Sequence, residues 1–264
     1  MQKIARLISV SIVTILMVAC QTPQADLEAL FTKRGMEGAI IISNLDNSQV
    51  FQAFPERARL PFLPASTFKI PNTLIALEEG AVASPEEVFT WDGNIRFVDA
   101  WNQDHSLRSA FPVSCVWVYQ EIASRVGDQT YLQYLEALDY GNHLTGPDLT
   151  RFWLDGDLRI TVEEQVAFLK RLYRKAFQFQ PEHYEVLAEI MEVEQTEKHT
   201  MYAKTGWAVR DDGEHGWYVG YVETLDDTWF FATNIEIKAN EEWRLSREIT
   251  GEALRLAGVI QKEM

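Results

Sequence analysis

The sequence predicts a mixed α/β (α+β) fold: an antiparallel sheet formed by both ends of the chain, flanked by helices, with a helical lobe inserted between them. Three observations predict it. Short β-prone runs lie at residues 38–44 and 48–54 near the start. Three more, rich in Trp, Tyr, Phe, Val and Ile, lie near 199–207, 216–224 and 228–237. The residues between the two groups carry apolar side chains at helical spacing.

Taken in order, Leu45, Asp46 and Asn47 separate the first two runs and read as a hairpin turn. Apolar spacing predicts a helix from Ser66 to Glu79. Ser84, Pro85, Glu86 and Glu87 supply a cap followed by proline in the first turn, a helix-start signal. Helices are also expected over 114–126, 130–138 and 182–190. Thr161 and Glu164 form a capping box that opens a helix toward Lys175. An amphipathic helix over 244–258 ends the chain, and no internal repeat or low-complexity tract interrupts it.

At 264 residues, 47% hydrophobic and 24% charged, the chain suffices for one large domain and is not a membrane bundle. Lys3 and Arg6 precede an apolar stretch from Leu7 to Val18. That stretch is shorter than the roughly 20 residues a spanning helix needs and suits a secretory signal. Residues 1–19 are read as a signal peptide, 20–34 as a lipidated N-terminus and tether, and 35–264 as the folded domain. The signal ends in Leu16-Met17-Val18-Ala19-Cys20, which resembles a bacterial lipobox and implies that Cys20 is lipidated. Gln21, rather than Asp, follows the cysteine, and by the same resemblance favours anchoring at the outer membrane, on its periplasmic side. A plain signal cut near the same place is the alternative.

Losing residues 1–19 removes Lys3 and Arg6 and no acid, so the formal charge moves from −15 to −17. A strongly acidic surface repels phosphate, and nucleic acid is not an expected partner. The only cysteines are Cys20 and Cys115, so with Cys20 lipidated Cys115 is expected as a buried free thiol. His105, His143, His183, His199 and His215 show no metal-ligand spacing, and no metal is expected.

Ser66, Thr67, Phe68 and Lys69 set a hydroxyl and an amine three residues apart at a helix start, where the helical repeat stacks them on one face. A serine hydroxyl is a poor nucleophile at neutral pH, and an adjacent neutral amine changes what it can do to a carbonyl. Lys204, Thr205 and Gly206 fall in a strand-like run, and Ser114 opens an apolar stretch midway between the two. With Tyr140-Gly141-Asn142 and Phe152-Trp153-Leu154-Asp155-Gly156, this three-part pattern resembles the class D (oxacillinase-type) serine β-lactamases. The likeness extends through Trp101-Asn102-Gln103-Asp104-His105, Val118-Tyr119-Gln120-Glu121 and Gly216-Trp217-Tyr218-Val219-Gly220, over roughly residues 35 to 260.

The resemblance implies the penicillin-binding/β-lactamase fold and hydrolysis of β-lactam antibiotics, conferring resistance. Ser66 would be the nucleophile. Lys69, carboxylated by CO2 or bicarbonate, would be the general base, with no other cofactor. Only a neutral amine adds CO2, so the pocket must be dry, with Phe68, Val116, Trp153 and Leu154 as walls and the Trp153 N–H holding the carbamate. Ser114 would relay a proton to the leaving nitrogen. Lys204, Thr205 and Gly206 would face the substrate, along with Trp101, Val116 and Trp207, and the backbone N–H groups of Ser66 and Trp207 would form the oxyanion hole. The family carries an arginine near the start of its last helix. Ser246 falls close to that place here, between Arg244 and Arg247, and Arg247 is taken as the partner of the substrate carboxylate. Tyr140 would either brace the site or act in it, and His105 would be a structural hydrogen-bonding group. The loop from Trp207 to Gly216 carries Arg210 where some carbapenem-hydrolysing members have an arginine.

Three readings stay open at this level: a β-lactamase, a penicillin-binding transpeptidase or carboxypeptidase, and a non-hydrolytic β-lactam sensor domain. The protein partner to consider is a second copy of the chain, as a homodimer. Fractionation tests the anchor: Cys20→Ser should move the protein from membranes to the periplasmic fraction, and a wild type already soluble there would contradict lipidation.

Overall fold

Strand pairing brings the two ends of the chain into one antiparallel sheet. β1 (Gly38–Asn44) sits between β2 (Val50–Ala53) and the last strand, β6 (Thr228–Ile237). Beyond β6 follow β5 (Glu214–Thr224), β4 (His199–Ala208) and β3 (Glu192–Gln195), so the order is β2-β1-β6-β5-β4-β3. The structure is a computed structural model that describes residues 23–209, 213–238 and 244–261. Cys20, the signal segment and Arg210 lie outside the described residues.

Because β1 lies inside the sheet, its two faces meet two different cores. Ala39 and Ile41 face the helical lobe, whereas Ile40 and Ile42 face the other side. The second face is covered by α1 (Pro23–Thr32) and α9 (Leu245–Leu256), whose Leu27, Phe31, Ile249, Ala253 and Leu254 are buried there. The lobe between the strand groups contains the short α2 (Pro55–Ala58), α3 (Lys69–Glu78), the short α4 (Leu107–Ala110), α5 (Val116–Val126), α6 (Asp128–Leu138), α7 (Val162–Tyr173) and α8 (Pro181–Met191). α7 starts at the capping box read from the sequence: the Glu164 N–H donates to Thr161 Oγ1 and the Thr161 N–H to Glu164 Oε2.

Four expectations need correction. Pro23–Thr32, inside the segment read as a tether, is helical, because Leu27 and Phe31 recur on one face and bury against the sheet. The cap-and-proline signal at Ser84 and Pro85 opens only a turn, in which Glu87 accepts the Ala83 N–H and pairs with Arg125, before Phe89 bridges to His105. The helix expected from 114 begins at Val116, since Ser114 holds φ at +55° and cannot lie in a right-handed turn. The second strand starts at Val50 rather than 48 because the turn, with Asn47 at φ +62°, takes in Ser48 and Gln49. β3 also went unread: it is four residues long and not apolar.

A Cβ on Gly38 would lie 2.6 Å from the Phe31 ring, so the helix α1 packs directly on the start of β1. Replacing a buried phenylalanine by alanine typically costs about 3–5 kcal/mol. Phe31→Ala should therefore lower stability in denaturant unfolding by about 3 kcal/mol while leaving the turnover of the folded protein unchanged.

Candidate active site

The reactive turn begins where the chain leaves two prolines, Pro61 and Pro64, and enters a 3-10 turn, Ala65–Phe68, which runs directly into α3. In a 3-10 turn side chains three residues apart eclipse. Ser66 and Lys69 therefore stack more directly than an α-helix would place them, and Lys69 Nζ lies 3.2 Å from Ser66 Oγ. Lys69 is fully buried. Its amine faces the Tyr119 ring at 4.8 Å, and that ring is held by a hydrogen bond from the Tyr119 hydroxyl to Thr73, which in turn donates to the Lys69 carbonyl. Desolvation pulls the amine down from 10.5 to about 7, offset in part by the neighbouring Cys115. Among the described residues no carboxylate offsets the loss of water, so the free amine is a substantial fraction near neutrality.

A second buried amine completes the constellation. Lys204 Nζ reaches Ser114 Oγ at 2.5 Å, and Thr205 Oγ1 and the Thr205 carbonyl at 3.2 Å. Burial, then the charge of Lys69, hold it well below the usual lysine range, so the two amines share one dry pocket. Ser114 is presented by a left-handed residue between α4 and α5. Trp101 fixes that loop by donating its indole N–H to the Val113 carbonyl, while its own carbonyl accepts from Trp117. Trp101 is mostly buried, with the Phe97 ring edge-on at 5.2 Å. Both His105 nitrogens are spent on Ser109 and the Ala100 carbonyl.

The apolar wall is aromatic. Phe68 stacks on Trp153 at 5.6 Å and meets Phe152, Tyr131 and Tyr140. Trp153 is fully buried, and its indole nitrogen has no hydrogen-bond partner among the described residues. A desolvated donor left unpaired is costly, and it marks a place where an acceptor fits. Val116 and Leu154 are half-buried at the margin of this wall. Asn142 exchanges hydrogen bonds with the Asp157 carbonyl and the Arg159 N–H, a Cβ on Gly141 would collide with the Arg159 carbonyl at 1.9 Å, and Tyr140 is fully buried against Phe68 and Phe168. Cys115 is a buried free thiol.

On the sheet side, β3 pairs with β4 only as far as Tyr202. Lys204, Thr205, Gly206 and Trp207 lie past that point. Gly206 allows a close approach there, since a Cβ would stand 3.1 Å from both the Pro64 carbonyl and the Thr67 methyl. Thr205 lines a cleft of about 600 Å³ together with Arg244 and Arg247, while Ser246 is buried and donates to the Trp217 carbonyl.

Sequence reasoning missed the clamps. The Leu63 carbonyl accepts from Trp217 Nε1 at 2.8 Å and from His215 Nε2 at 2.9 Å, so that histidine nitrogen carries its proton. Gln165 on α7 donates to Thr67 Oγ1 at 2.8 Å. The available signal was a polar residue inside the apolar stripe Val162, Val166 and Leu169.

Residues 42–255 match the penicillin binding protein transpeptidase domain family. The chain is 39% identical to β-lactamase OXA-48 of Klebsiella pneumoniae, over 88% of each chain. The chain belongs to the class D β-lactamases. OXA-15 of Pseudomonas aeruginosa is 40% identical over 81% of this chain and 77% of its own. Among solved structures, the class D β-lactamase YbXI from Nostoc superposes with a TM-score of 0.86 at 38% identity, covering 89% of this chain and 99% of that one. The class D enzyme FUS-1 (OXA-85) of Fusobacterium nucleatum subsp. polymorphum gives the same TM-score at 34% identity, covering 89% and 98%. The six-stranded sheet with helices on both faces is thus the class D fold.

The depressed Lys69 value fixes the direction of a pH effect. Above about 7 the amine is free, and as the pH falls through that value it takes up a proton and can no longer accept one from Ser66. Between about 7 and 10.5 the unfolded chain binds the extra proton, so stability should rise with pH across this window. Activity should accordingly show an acid limb near neutrality, and Lys69→Met should abolish turnover while raising the thermal midpoint at pH 7. A destabilised Lys69→Met variant would contradict the burial cost.

Proposed function

We propose that this chain hydrolyses β-lactam antibiotics through an acyl-enzyme on Ser66 and thereby confers resistance to them. One observation carries the reading: a fully buried Lys69 amine, with no carboxylate beside it among the described residues, stands 3.2 Å from the Ser66 hydroxyl, and Trp153, stacked on the adjacent Phe68, keeps a buried N–H without a partner among the described residues. Those residues fit a carboxylated lysine. Carboxylated by CO2, Lys69 would supply an anionic general base, held by the Trp153 N–H.

The remaining roles belong to the chain's own groups. Ser66 Oγ attacks the lactam carbonyl carbon while its proton is taken on the Lys69 side. The carbonyl oxygen, now anionic, faces the backbone N–H groups of Ser66 and Trp207, each worth about 3 kcal/mol in the transition state. The carbon–nitrogen bond breaks, and the proton removed from Ser66 returns to the leaving nitrogen through the Ser114 hydroxyl, which Lys204 holds. Thr205 and Arg247 bind the substrate carboxylate in the cleft they share. Water then attacks the ester carbonyl and frees Ser66. Trp101 and Val116 supply apolar surface at the mouth.

The same reading puts the mature chain in the periplasm, on a lipidated Cys20 at the outer membrane. With α1 starting at Pro23, only Gln21 and Thr22 would separate lipid from folded body. Among the described residues no helix is long and apolar enough to cross a membrane. A homodimer is the further partner proposed, and sedimentation of the mature chain checks it.

Intact mass after brief exposure to a slow β-lactam should show one adduct, absent in Ser66→Ala. Carbon-13 NMR with labelled bicarbonate should show a carbamate signal that disappears in Lys69→Ala, and Trp153→Ala should slow deacylation selectively. A single stoichiometric burst without turnover would instead indicate a transpeptidase or a sensor.

A further inference from the structure

Ala65, immediately before Ser66, holds φ at +48°, in the left-handed region that a residue with a Cβ adopts only at a cost. Such a conformation persists where its surroundings over-determine it. Three restraints do so here. The Ala65 N–H donates to the Trp153 carbonyl at 2.9 Å. The preceding Leu63 carbonyl is held by Trp217 and His215. Thr67, just after the nucleophile, folds back so that Oγ1 donates to the Pro64 carbonyl at 2.7 Å.

The third restraint depends on a residue far away in sequence. Gln165, 1% exposed on α7, donates Nε2–H to Thr67 Oγ1 at 2.8 Å. The Thr67 hydroxyl is thereby engaged on both sides, donating to Pro64 and accepting from Gln165, which fixes its rotamer. Its methyl then points at β4, 3.1 Å from where a Cβ on Gly206 would stand. Thr67 follows Ser66 and Gly206 precedes Trp207, so this contact sets the separation of the two backbone segments that would hold an oxyanion. Stability alone does not account for a glutamine at this place. Among the described residues its Oε1 has no hydrogen-bond partner, although the Gln165 side chain and Thr67 also meet the buried Tyr140 hydroxyl, and a desolvated, unpaired oxygen costs free energy that an apolar side chain of the same length would not.

We propose that Gln165 is a positioning residue for acylation: acting through the Thr67 hydroxyl, it holds the Ser66 turn against β4 in the spacing that the transition state requires. The proposal rests on the acyl-enzyme reading above. The test is stopped-flow acylation of the full chain by a chromogenic cephalosporin, alongside thermal unfolding. Gln165→Met keeps side-chain length and removes the unpaired oxygen. Its acylation rate constant should fall about tenfold or more, in line with the sensitivity of catalysis to small misplacements, while its thermal midpoint stays level or rises. Thr67→Val should lose a similar factor, and the double variant should be no slower than either single one, because both changes break the same link. Wild-type acylation by Gln165→Met would overturn the proposal. So would losses that multiply in the double variant, or a midpoint that drops with the rate, which would mark Gln165 as merely structural. A wild type that is not acylated at all would overturn the hydrolase reading and this inference with it.

Discussion

The Lys69 amine is fully buried over the Tyr119 ring and near Cys115, with no carboxylate beside it among the described residues, and a cation in such surroundings is disfavoured because nothing replaces its water. Most of the local architecture serves that enclosure. The inserted lobe supplies aromatic rings that pack edge to face around Phe68, so the wall is rigid as well as dry. Lys204 deepens the effect, since a second buried amine in the same pocket makes protonating both still less favourable. A chain selected only for stability would hold neither lysine there.

The sheet supplies what the lobe cannot, a fixed backbone. β4 is paired with β5 along its whole length, and its neighbour on the other side stops early, which leaves Lys204 to Trp207 facing the reactive turn. The turn is brought up against that stretch by two rings from β5 that grip the Leu63 carbonyl. Nucleophile and strand are therefore positioned by hydrogen bonds made outside the cleft. The cleft-facing groups stay available for chemistry.

Much of this was legible in the sequence, for identifiable reasons. Strands such as 228–237 and the helix opened by Thr161 and Glu164 carry their signals locally, in β-branched and aromatic runs and in a capping box. The pairing of Ser66 with Lys69 follows from spacing alone. What stayed hidden depends on tertiary contact. Ser114 is the local exception: the Cys115 N–H bonds to the Ala110 carbonyl in a tight turn, and nothing in a serine side chain marks it as a left-handed residue. Ser84 and Pro85 look like a helix start, but the strand bridge at Phe89 follows too soon for one to form. Residues 23–32 read as a tether because their apolar face is short, and it becomes informative only with α9 beside it. The hydrogen bond from Gln165 to Thr67 joins residues 98 apart in the chain and leaves no mark in spacing.

Both outer strands of the sheet, β2 and β3, are four residues long, and β3 carries Glu192 and Glu194 on its outward run. An unpaired strand edge is a template onto which any extended chain can add, and brevity with acidic side chains makes it a poor one. The consequence concerns colloidal behaviour rather than catalysis. Two molecules meeting β3 to β3 would bring like charges together along a ladder too short to repay the repulsion, while β2 offers only four residues to pair with, so this sheet should resist growing into intermolecular fibrils even when the chain is crowded.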